Sequence, residues 1–420
     1  MIMKASEVAG TRFRAFIQRD ASAARVEELT LLPLGVRRVL VRTQAAVCCY
    51  TVCMQALGST KAEYDRMAAL YRYAPGMGLI LGHGGVGIVE AVAPEVKRVQ
   101  PGDQVIVPIT SQCGQCYNCL RGRGDHCRSE LSYSQPGNGQ AGQVGIAVAT
   151  MKDGTPVNQH LDKGGFAEYM VAPEESCVPI VTTVPAVELA LLNCAGGIGL
   201  MSTMTKAKVE PGSDVVVIGG GPLGLSAVQG ARIMGAAQII LVEPVQERRD
   251  LAIRLGATTV LDPNAEGTRL LSRIQQLCRG RTDRSFAGGG NGGPDFVVEA
   301  VGGDLYQPKV PGPDTTGIAA VQQAWEVASP VADIVTMGFN LDGNVTMPAA
   351  EFSSATKHHY PGNLAGTNVF RDLPRAVRLI ETGRFNAKAM VTAVHPLEET
   401  HLAYRKVADR TTIAAVIAFD

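Results

Sequence analysis

The chain has 420 residues, more than one hydrophobic core usually serves, and this length predicts two domains. Lys and Arg together number 39, as do Asp and Glu, so no net charge favours nucleic acid or an anionic membrane as a partner. Because the first residues lack the apolar core of a signal peptide and no later run would span a bilayer, we expect a cytoplasmic protein without a membrane segment. In that compartment the ten cysteines are expected to bind metals rather than form disulfides.

Short β-rich runs alternate with turns in the first third of the chain. Strands are predicted at Val39–Arg42, Gly87–Val92 and Gln104–Pro108. Residues 61–72 carry apolar side chains at helical spacing, which predicts a short helix inserted in a loop. Strands that do not repeat in this way indicate a small antiparallel barrel or sandwich.

A cluster of four cysteines follows these strands. Their spacing is C-x2-C-x2-C-x7-C, within a segment otherwise rich in loop-forming residues. Four thiolates in one loop fill a closed tetrahedral zinc site, which holds an irregular lobe with little core. An iron–sulfur cluster also uses four cysteines, but the bacterial ferredoxin run ends with a closer pair and a proline, which this sequence lacks. Fortuitous clustering is the remaining alternative. We predict a structural zinc site at Cys113, Cys116, Cys119 and Cys127.

The second half changes to a rhythm of strand, glycine turn, helix and strand. This βαβ pattern predicts a parallel sheet covered by helices. Two Gly/Pro-rich stretches, 287–294 and 308–317, are predicted surface loops. The predicted elements are strands at Val215–Ile218, Gln238–Val242, Thr259–Leu261, Phe296–Ala300 and Ile334–Gly338, a helix at Leu373–Thr382 and a closing strand at Ile413–Phe419.

The glycine turn after Ile218 reads G-x-G-x-x-G, the spacing of a dinucleotide site. The first glycine permits the turn, the second lets the backbone approach a pyrophosphate, and the third lets the helix pack on the strand. The helix N-terminus then offers free N–H groups to the phosphates. The alternative is a glycine turn of a generic α/β domain. The predicted phosphate-binding residues are Gly219, Gly221, Pro222, Leu223 and Gly224.

The cofactor choice is predicted from the end of the second strand of this unit. Glu243 ends that strand, where a carboxylate bonds the ribose hydroxyls and repels a 2′-phosphate. This position favours NAD over NADP. Arg248 and Arg249 leave the choice open, because an arginine near this strand end can hold the NADP phosphate. Arg248 is therefore counted among the cofactor-binding candidates.

A four-cysteine loop followed by this glycine motif resembles the zinc-dependent alcohol dehydrogenases of the medium-chain dehydrogenase/reductase family. The resemblance covers nearly the whole chain, including the GHxxxG segment at Gly82–Gly87 and the phrase GGFAEYMV at 164–171. It implies an α/β fold in which a Rossmann doubly wound parallel sheet accompanies a GroES-like β-barrel catalytic domain. The implied domains are residues 1–190 for the catalytic domain, 191–367 for the Rossmann domain and 368–420 for a return to the catalytic domain.

The resemblance also implies a second, catalytic zinc, held by Cys49, His83 and Cys194. Residues 39–58 match the family's first ligand segment without a gap if Cys49 is the ligand, and Thr51 then falls on the position that accepts the alcohol proton. Choosing Cys48 instead would shift the strand out of register. The implied cofactors are therefore NAD and two zinc ions, with a small-molecule alcohol or carbonyl substrate and a homodimer or homotetramer.

Three departures from the family pattern keep other functions open. Val52 replaces an aspartate, Gly84 replaces the glutamate after the histidine, and Met54 stands where a relay histidine is common. Carboxylates at such positions orient metal-bound histidines. One alternative is therefore an NAD(P)H-dependent reductase of an activated C=C bond with a degenerate zinc and relay site. The other is a nucleotide-sensing protein without turnover.

The remaining cysteines, the isolated histidines and the inserted helix receive simpler interpretations. The cysteines are expected to be small buried hydrophobes, and the histidines, which lack paired ligand spacing, are assigned no role. Side chains of the inserted helix either line a substrate lid or pack against their own domain. These residues are Cys48, Cys53, Cys177 and Cys278; His160, His358, His359, His395 and His401; and Tyr64, Met67, Leu70 and Tyr71.

Overall fold

The computed structural model describes residues 4–71, 73, 76–129, 146–278, 292–306 and 314–420. Most of the two predicted loops at 287–294 and 308–317 lies outside the described residues.

Contacts within the chain separate two units. The first contains Met1–Cys194, Asn368–Glu381 and Ala387–Asp420, and the second contains Ala195–Thr367 and Thr382–Asn386. Cys194 therefore belongs to the first unit, whereas the sequence placed it beyond a boundary at residue 190. The physical reason is that the carbonyl of Asn193 accepts a hydrogen bond from the backbone N–H of Ile109 at 2.9 Å, which ties this end of the segment to the first unit.

Eighteen strands are formed by the described residues. They are β1 (Arg12–Gln18), β2 (Arg25–Leu31), β3 (Arg38–Val47), β4 (Gly78–Ile80), β5 (Gly85–Val92), β6 (Gln104–Val107), β7 (Ala149–Thr150), β8 (Pro156–Gln159), β9 (Tyr169–Pro173), β10 (Val178–Ile180), β11 (Asp214–Ile218), β12 (Gln238–Val242), β13 (Thr259–Leu261), β14 (Phe296–Glu299), β15 (Asp333–Thr336), β16 (His358–Pro361), β17 (Val391–His395) and β18 (Ala414–Ala418).

Thirteen α-helices are formed by the same part of the chain, together with several short 3-10 turns. They are α1 (Cys53–Leu57), α2 (Lys61–Tyr71), α3 (Tyr117–Leu120), α4 (Ala186–Leu189), α5 (Ala195–Met201), α6 (Pro222–Ile233), α7 (Gln246–Leu255), α8 (Pro263–Glu266), α9 (Leu270–Leu277), α10 (Ile318–Val327), α11 (Ala349–Ser354), α12 (Val369–Glu381) and α13 (Thr400–Ala408).

The first unit combines a closed barrel with a larger sheet. The barrel runs β1-β2-β7-β8-β4, and the sheet runs β10-β6-β5-β3-β18-β17, with β9 also paired to β3. The barrel pairs are antiparallel except β4 with β8, which is parallel and closes the barrel back onto β1. Inward side chains such as Phe13, Leu29 and Val157 fill its core. The predicted β-barrel is confirmed, but that parallel pair was not foreseen.

The second unit is a six-stranded parallel sheet in the order β13-β12-β11-β14-β15-β16. This order reads 3-2-1-4-5-6, the doubly wound arrangement in which ligands bind beyond the carboxyl ends of the central strands. Strand β11 is buried along its whole length, as its uninterrupted valines predict for a sheet covered on both faces. The predicted Rossmann fold is confirmed.

Two further sequence predictions can be compared with the structure. The inserted helix is α2, and the predicted helix at Leu373–Thr382 is α12, which begins earlier, at Val369. The early start follows from a cap, since the side-chain oxygen of Asn368 accepts a hydrogen bond from the backbone N–H of Arg371 at 3.2 Å.

Within the described ranges no single helix is long and apolar enough to cross a membrane. One bent pair of short helices passes that test, by length and composition alone.

Candidate functional site

Three side chains that are distant in sequence meet within the first unit. Cys49 begins a 3-10 turn after β3, His83 lies between β4 and β5, and Cys194 follows a short 3-10 helix. Their possible ligand atoms, two sulfurs and a ring nitrogen, all lie within 4.8 Å of one another. The structure thus brings together the three residues that the sequence proposed as one ligand set.

The choice between the two adjacent cysteines is resolved by their surroundings. The backbone N–H of Cys48 donates to the carbonyl of Ala415 at 2.9 Å, and burial raises the pKa of the Cys48 thiol well above its usual value. Cys49 instead converges on His83 and Cys194, and a hydrogen bond with Cys194 is the main cause that lowers the pKa of Cys49 well below its usual value. The register argument for Cys49 therefore agrees with the geometry.

Among the three residues of this set, His83 has the surroundings that most clearly indicate a bound ligand. Its ring is 2% exposed, and neither nitrogen has a hydrogen-bond partner among the described residues. Buried polar atoms in folded proteins are nearly always partnered, so an imidazole left this way indicates a metal or a bound molecule. Two thiols and one imidazole suit zinc, and three protein ligands leave a fourth position open. The residues present therefore fit a catalytic type of zinc site.

The backbone around Gly84 explains one departure from the family pattern. Gly84 has φ +121°, and a Cβ atom there would lie 2.0 Å from the carbonyl oxygen of Val107. No side chain fits at this position without moving a strand, so the family's glutamate is excluded by packing. The amide nitrogen of Asn193 lies 3.2 Å from the position that a Cβ atom on Gly84 would occupy. Asn193 is 2% exposed, and its amide atoms lack partners within the described ranges.

The other two departures are apolar and buried. Val52 is fully buried, and Met54 is 9% exposed at the start of α1. Neither side chain can orient an imidazole or carry a proton. Thr51 remains, and its hydroxyl oxygen lies 3.1 Å from the sulfur of Cys49.

The four remaining candidate metal ligands form a second set in the first unit. Their sulfurs all lie within 4.8 Å of one another. Backbone N–H groups point at these sulfurs, for example from Cys113 to Cys127 at 3.2 Å and from Arg128 to Cys116 at 3.3 Å. Burial raises the pKa of Cys116, but hydrogen bonds led by the one from Arg128 lower it to about 7. Such N–H donors stabilise thiolates, so Cys113, Cys116, Cys119 and Cys127 fit a closed zinc site.

The glycine motif of the second unit has the geometry that a phosphate site needs. Gly219 has φ +97°, Gly221 caps α6, and Pro222 and Leu223 open that helix. A Cβ atom on Gly221 would meet nothing within 4 Å, so the backbone is open to a ligand there. A Cβ atom on Gly224 would lie 1.7 Å from the carbonyl oxygen of Gly219, which is why only glycine lets α6 pack against β11.

Glu243 and the two arginines after it have distinct surroundings. The carboxylate of Glu243 accepts hydrogen bonds from the N–H groups of Gly220 at 2.5 Å and Val245 at 2.9 Å, so it is held beside the glycine turn. The guanidinium of Arg249 donates to the carbonyls of Glu243 and Pro244 at 2.7 and 2.8 Å. Arg249 is therefore engaged in fixing the strand end, whereas Arg248 is half-buried on α7.

Sequence reasoning missed one histidine that lies beside the set formed by Cys49, His83 and Cys194. His160 was assigned no role, yet its ring centroid lies 6.2 Å from that of His83 and 5.0 Å from that of Tyr71. No spacing in the sequence pairs these residues. The parallel pairing of β4 with β8, in which Ile80 lies opposite Gln159, brings the segments that carry His83 and His160 together. Tyr71 and Met67 are buried, which favours the interpretation that α2 packs against its own domain.

Comparisons with known proteins identify the family of this chain. The alcohol dehydrogenase GroES-like domain family matches residues 35–182, and the zinc-binding dehydrogenase family matches residues 222–310. The chain is 31% identical to alcohol dehydrogenase 6 of Rattus norvegicus over 280 residues, which cover 67% of this chain and 68% of the relative. It is 28% identical to alcohol dehydrogenase B of Mycobacterium tuberculosis over 367 residues, covering 87% and 90% respectively. The crystal structure of an alcohol dehydrogenase zinc-binding domain protein from Burkholderia ambifaria has a TM-score of 0.77 at 25% identity and covers 98% of this chain and 99% of that one.

Proposed function

This chain belongs to the zinc-type medium-chain dehydrogenase/reductase family of oxidoreductases, and from this premise we propose that it is an NAD-linked alcohol dehydrogenase. It would interconvert a small-molecule alcohol and an aldehyde or ketone. The single observation that carries the proposal is the convergence of Cys49, His83 and Cys194, with both His83 nitrogens lacking a partner in the described part of the chain. In the oxidation, the alcohol would lose a hydride from carbon, for which NAD would be the acceptor, and a proton from its hydroxyl oxygen.

Two zinc ions have separate roles in this proposal. Cys49, His83 and Cys194 would hold the catalytic ion, and Cys113, Cys116, Cys119 and Cys127 the structural one. When bound, the catalytic zinc supplies a Lewis acid for oxygen, and NAD supplies the hydride acceptor.

Thr51 is the group proposed to take the hydroxyl proton. A hydroxyl has one proton to donate and two lone pairs to accept with. If Thr51 donates toward the Cys49 thiolate, 3.1 Å away, its lone pairs stay available to the alcohol. Met54 supplies no imidazole for the next transfer, so the proton route beyond Thr51 lacks the family's usual relay.

The cofactor assignment relies on the glycine turn and on Glu243. Gly219, Gly221 and the N-terminus of α6 would bind the pyrophosphate, because free N–H groups and the helix dipole favour an anion there. Each Glu243 oxygen accepts one backbone hydrogen bond and retains a lone pair for a ribose hydroxyl. The same fixed carboxylate would repel a 2′-phosphate, which supports NAD over NADP.

A side-by-side assay of alcohols, aldehydes and enals, with zinc-loaded and zinc-stripped enzyme, tests the proposal. We expect NAD-linked oxidation of a primary or secondary alcohol that disappears when the catalytic zinc is removed. Reduction of a conjugated alkene needs hydride positioning but no Lewis acid on oxygen, so activity confined to enals and indifferent to zinc would replace the proposal by the ene-reductase alternative. Dinucleotide binding without turnover on any substrate would indicate a sensor.

A further inference from the structure

His160 occupies a rigid turn that fixes the position of its ring. The turn, His160–Asp162, follows β8 and contains two left-handed residues, Leu161 at φ 51° and Asp162 at φ 64°. The carboxylate of Asp162 accepts a hydrogen bond from the buried guanidinium of Arg38 at 2.6 Å, and the carbonyl of Leu161 accepts one from Lys163 Nζ at 2.9 Å. These bonds hold the backbone on which the His160 side chain is carried.

The ring itself makes no hydrogen bond. It is 1% exposed, and neither of its nitrogens has a partner within the part of the chain that the structure describes. Buried polar atoms in folded proteins are nearly always partnered, because an unsatisfied one is destabilising, so these two nitrogens indicate a bound partner. A neutral imidazole offers one donor and one acceptor.

The neighbours of the ring place it at the edge of the proposed zinc centre. Tyr71 meets it edge-to-face at 5.0 Å, Tyr73 lies at 6.3 Å, and His83 lies at 6.2 Å. Tyr73 is fixed by a 3.1 Å hydrogen bond between its hydroxyl and the side chain of Gln55. The candidate ligand set that contains His83 consists of Cys49, His83 and Cys194 among the described residues, so His160 lies beside this set and outside it.

We propose that the imidazole of His160 binds a second oxygen of the substrate, carried by the carbon next to the one that is oxidised. The substrate class is then a vicinal diol, with an α-hydroxy aldehyde or ketone as its product, rather than a simple alcohol. The inference rests on the proposed function. It follows from a buried donor and acceptor without partners in the described part of the chain, on a ring whose centroid lies 6.2 Å from that of the proposed zinc ligand His83. Sites built to bond a hydroxyl discriminate strongly against analogues that lack it, because their own polar atoms are then left unpaired.

The test compares 1,2-propanediol with 1-propanol, which differ by that one hydroxyl. In the wild-type enzyme with NAD, kcat/KM for the diol should exceed that for the simple alcohol by about tenfold or more. His160→Phe keeps an aromatic ring against Tyr71 but removes both nitrogens, and it should bring the ratio close to one, mainly through KM for the diol. His401→Phe is the matched control at an exposed histidine of α13, and it should keep the wild-type ratio.

Calorimetric binding of the same two alcohols to the NADH-loaded enzyme gives a second measurement that needs no turnover. Tighter binding of the diol by wild type, lost in His160→Phe, supports the inference. A wild-type ratio near one, in rate and in binding, would overturn it and would mean that water satisfies His160. An unchanged ratio in His160→Phe would overturn it as well. If His160→Phe does not fold, the ratio of diol to simple alcohol in the wild-type enzyme decides whether the inference holds. If no alcohol is oxidised, the proposed function has failed, and the calorimetric ratio still decides the role of His160.

Discussion

The hydroxyl oxygen of Thr51 lies 3.1 Å from the sulfur of Cys49, in the 3-10 turn that immediately follows β3. This contact links the proposed proton acceptor to a proposed metal ligand, because one short turn carries both. A displacement of the turn would therefore move both groups together. The following positions Val52 and Met54 are buried and apolar, so neither can pass on a proton that Thr51 takes from a substrate hydroxyl.

Replacing Thr51 tests the relay directly. Thr51→Ala should lower kcat for alcohol oxidation by roughly 10²-fold, because a positioned acid–base group contributes at least that much. Thr51→Ser keeps the hydroxyl and should retain most of the rate. Steady-state kinetics at saturating NAD measure both variants, with zinc content checked in each. An unchanged kcat in Thr51→Ala, at full zinc content, would remove Thr51 from the proton route.

Glu243 should set the preference between the two nicotinamide cofactors. We expect wild type to favour NAD over NADP by about tenfold in kcat/KM, which corresponds to about 1.4 kcal/mol. Glu243→Gln removes the charge that repels a 2′-phosphate and keeps one of the two acceptor oxygens that bond Gly220 and Val245, so the preference should shrink. Arg248→Ala is the comparison variant. If Arg248→Ala changes the preference and Glu243→Gln does not, the arginine controls recognition instead.

Gly84 should be intolerant of any side chain. Gly84→Ala places a methyl group 2.0 Å from the carbonyl of Val107 at a positive φ, so backbone strain and overpacking act together and should cost about 2–4 kcal/mol. Gly102→Ala is a matched control, since its φ is +97° and its Cβ atom would meet nothing within 4 Å. The control should lose about 1–2 kcal/mol. Thermal unfolding measures both, and equal losses would show that the Val107 contact has no effect.

Lys163 should make stability depend on pH in the alkaline range. Its side chain is fully buried, and burial is the main cause that lowers the pKa of its ammonium group to about 8. The unfolded chain holds this proton up to about pH 10.5, so between about pH 8 and 10.5 it binds more protons than the folded chain. The free energy of unfolding attributable to Lys163 should therefore rise through that window, by about 3 kcal/mol in total.

The comparison for Lys163 is Lys163→Met, which has no titrating group. Relative to this variant, wild type should gain unfolding temperature as the pH is raised from 8 toward 10. Because both proteins share every other titrating group, their difference isolates the lysine. A difference that stays flat across the window, or that falls, would contradict a buried Lys163 with a lowered pKa.

Local spacing was sufficient to predict much of this molecule. Each of these features lies within one short segment: the glycine motif with its strand and helix, and the four-cysteine loop. Their chemistry can therefore be predicted from the residue types and their spacing in that segment. The choice of Cys49 over Cys48 came from the family resemblance, since residues 39–58 match the family's ligand segment without a gap when Cys49 is the ligand. These predictions needed no knowledge of how distant segments pack.

The remaining features depend on contacts between distant segments. The parallel pairing of β4 with β8 joins residues about eighty positions apart, and nothing local encodes it. The clash that excludes a side chain at Gly84 comes from Val107. His160 lies near His83 because β4 and β8, the strands that precede the two histidines, pair in parallel. Because His160 has no ligand-like spacing to another residue, the sequence alone does not indicate that it lies beside the proposed zinc site.

The most direct test of the central claim is the zinc content per chain of wild type, Cys49→Ala and Cys48→Ala. The two ligand sets predict about two zinc ions in wild type and in Cys48→Ala. Cys49→Ala should keep about one, held by the four-cysteine set, and should lose alcohol oxidation. One zinc in wild type, or two in Cys49→Ala with activity retained, would contradict a catalytic zinc held by Cys49, His83 and Cys194.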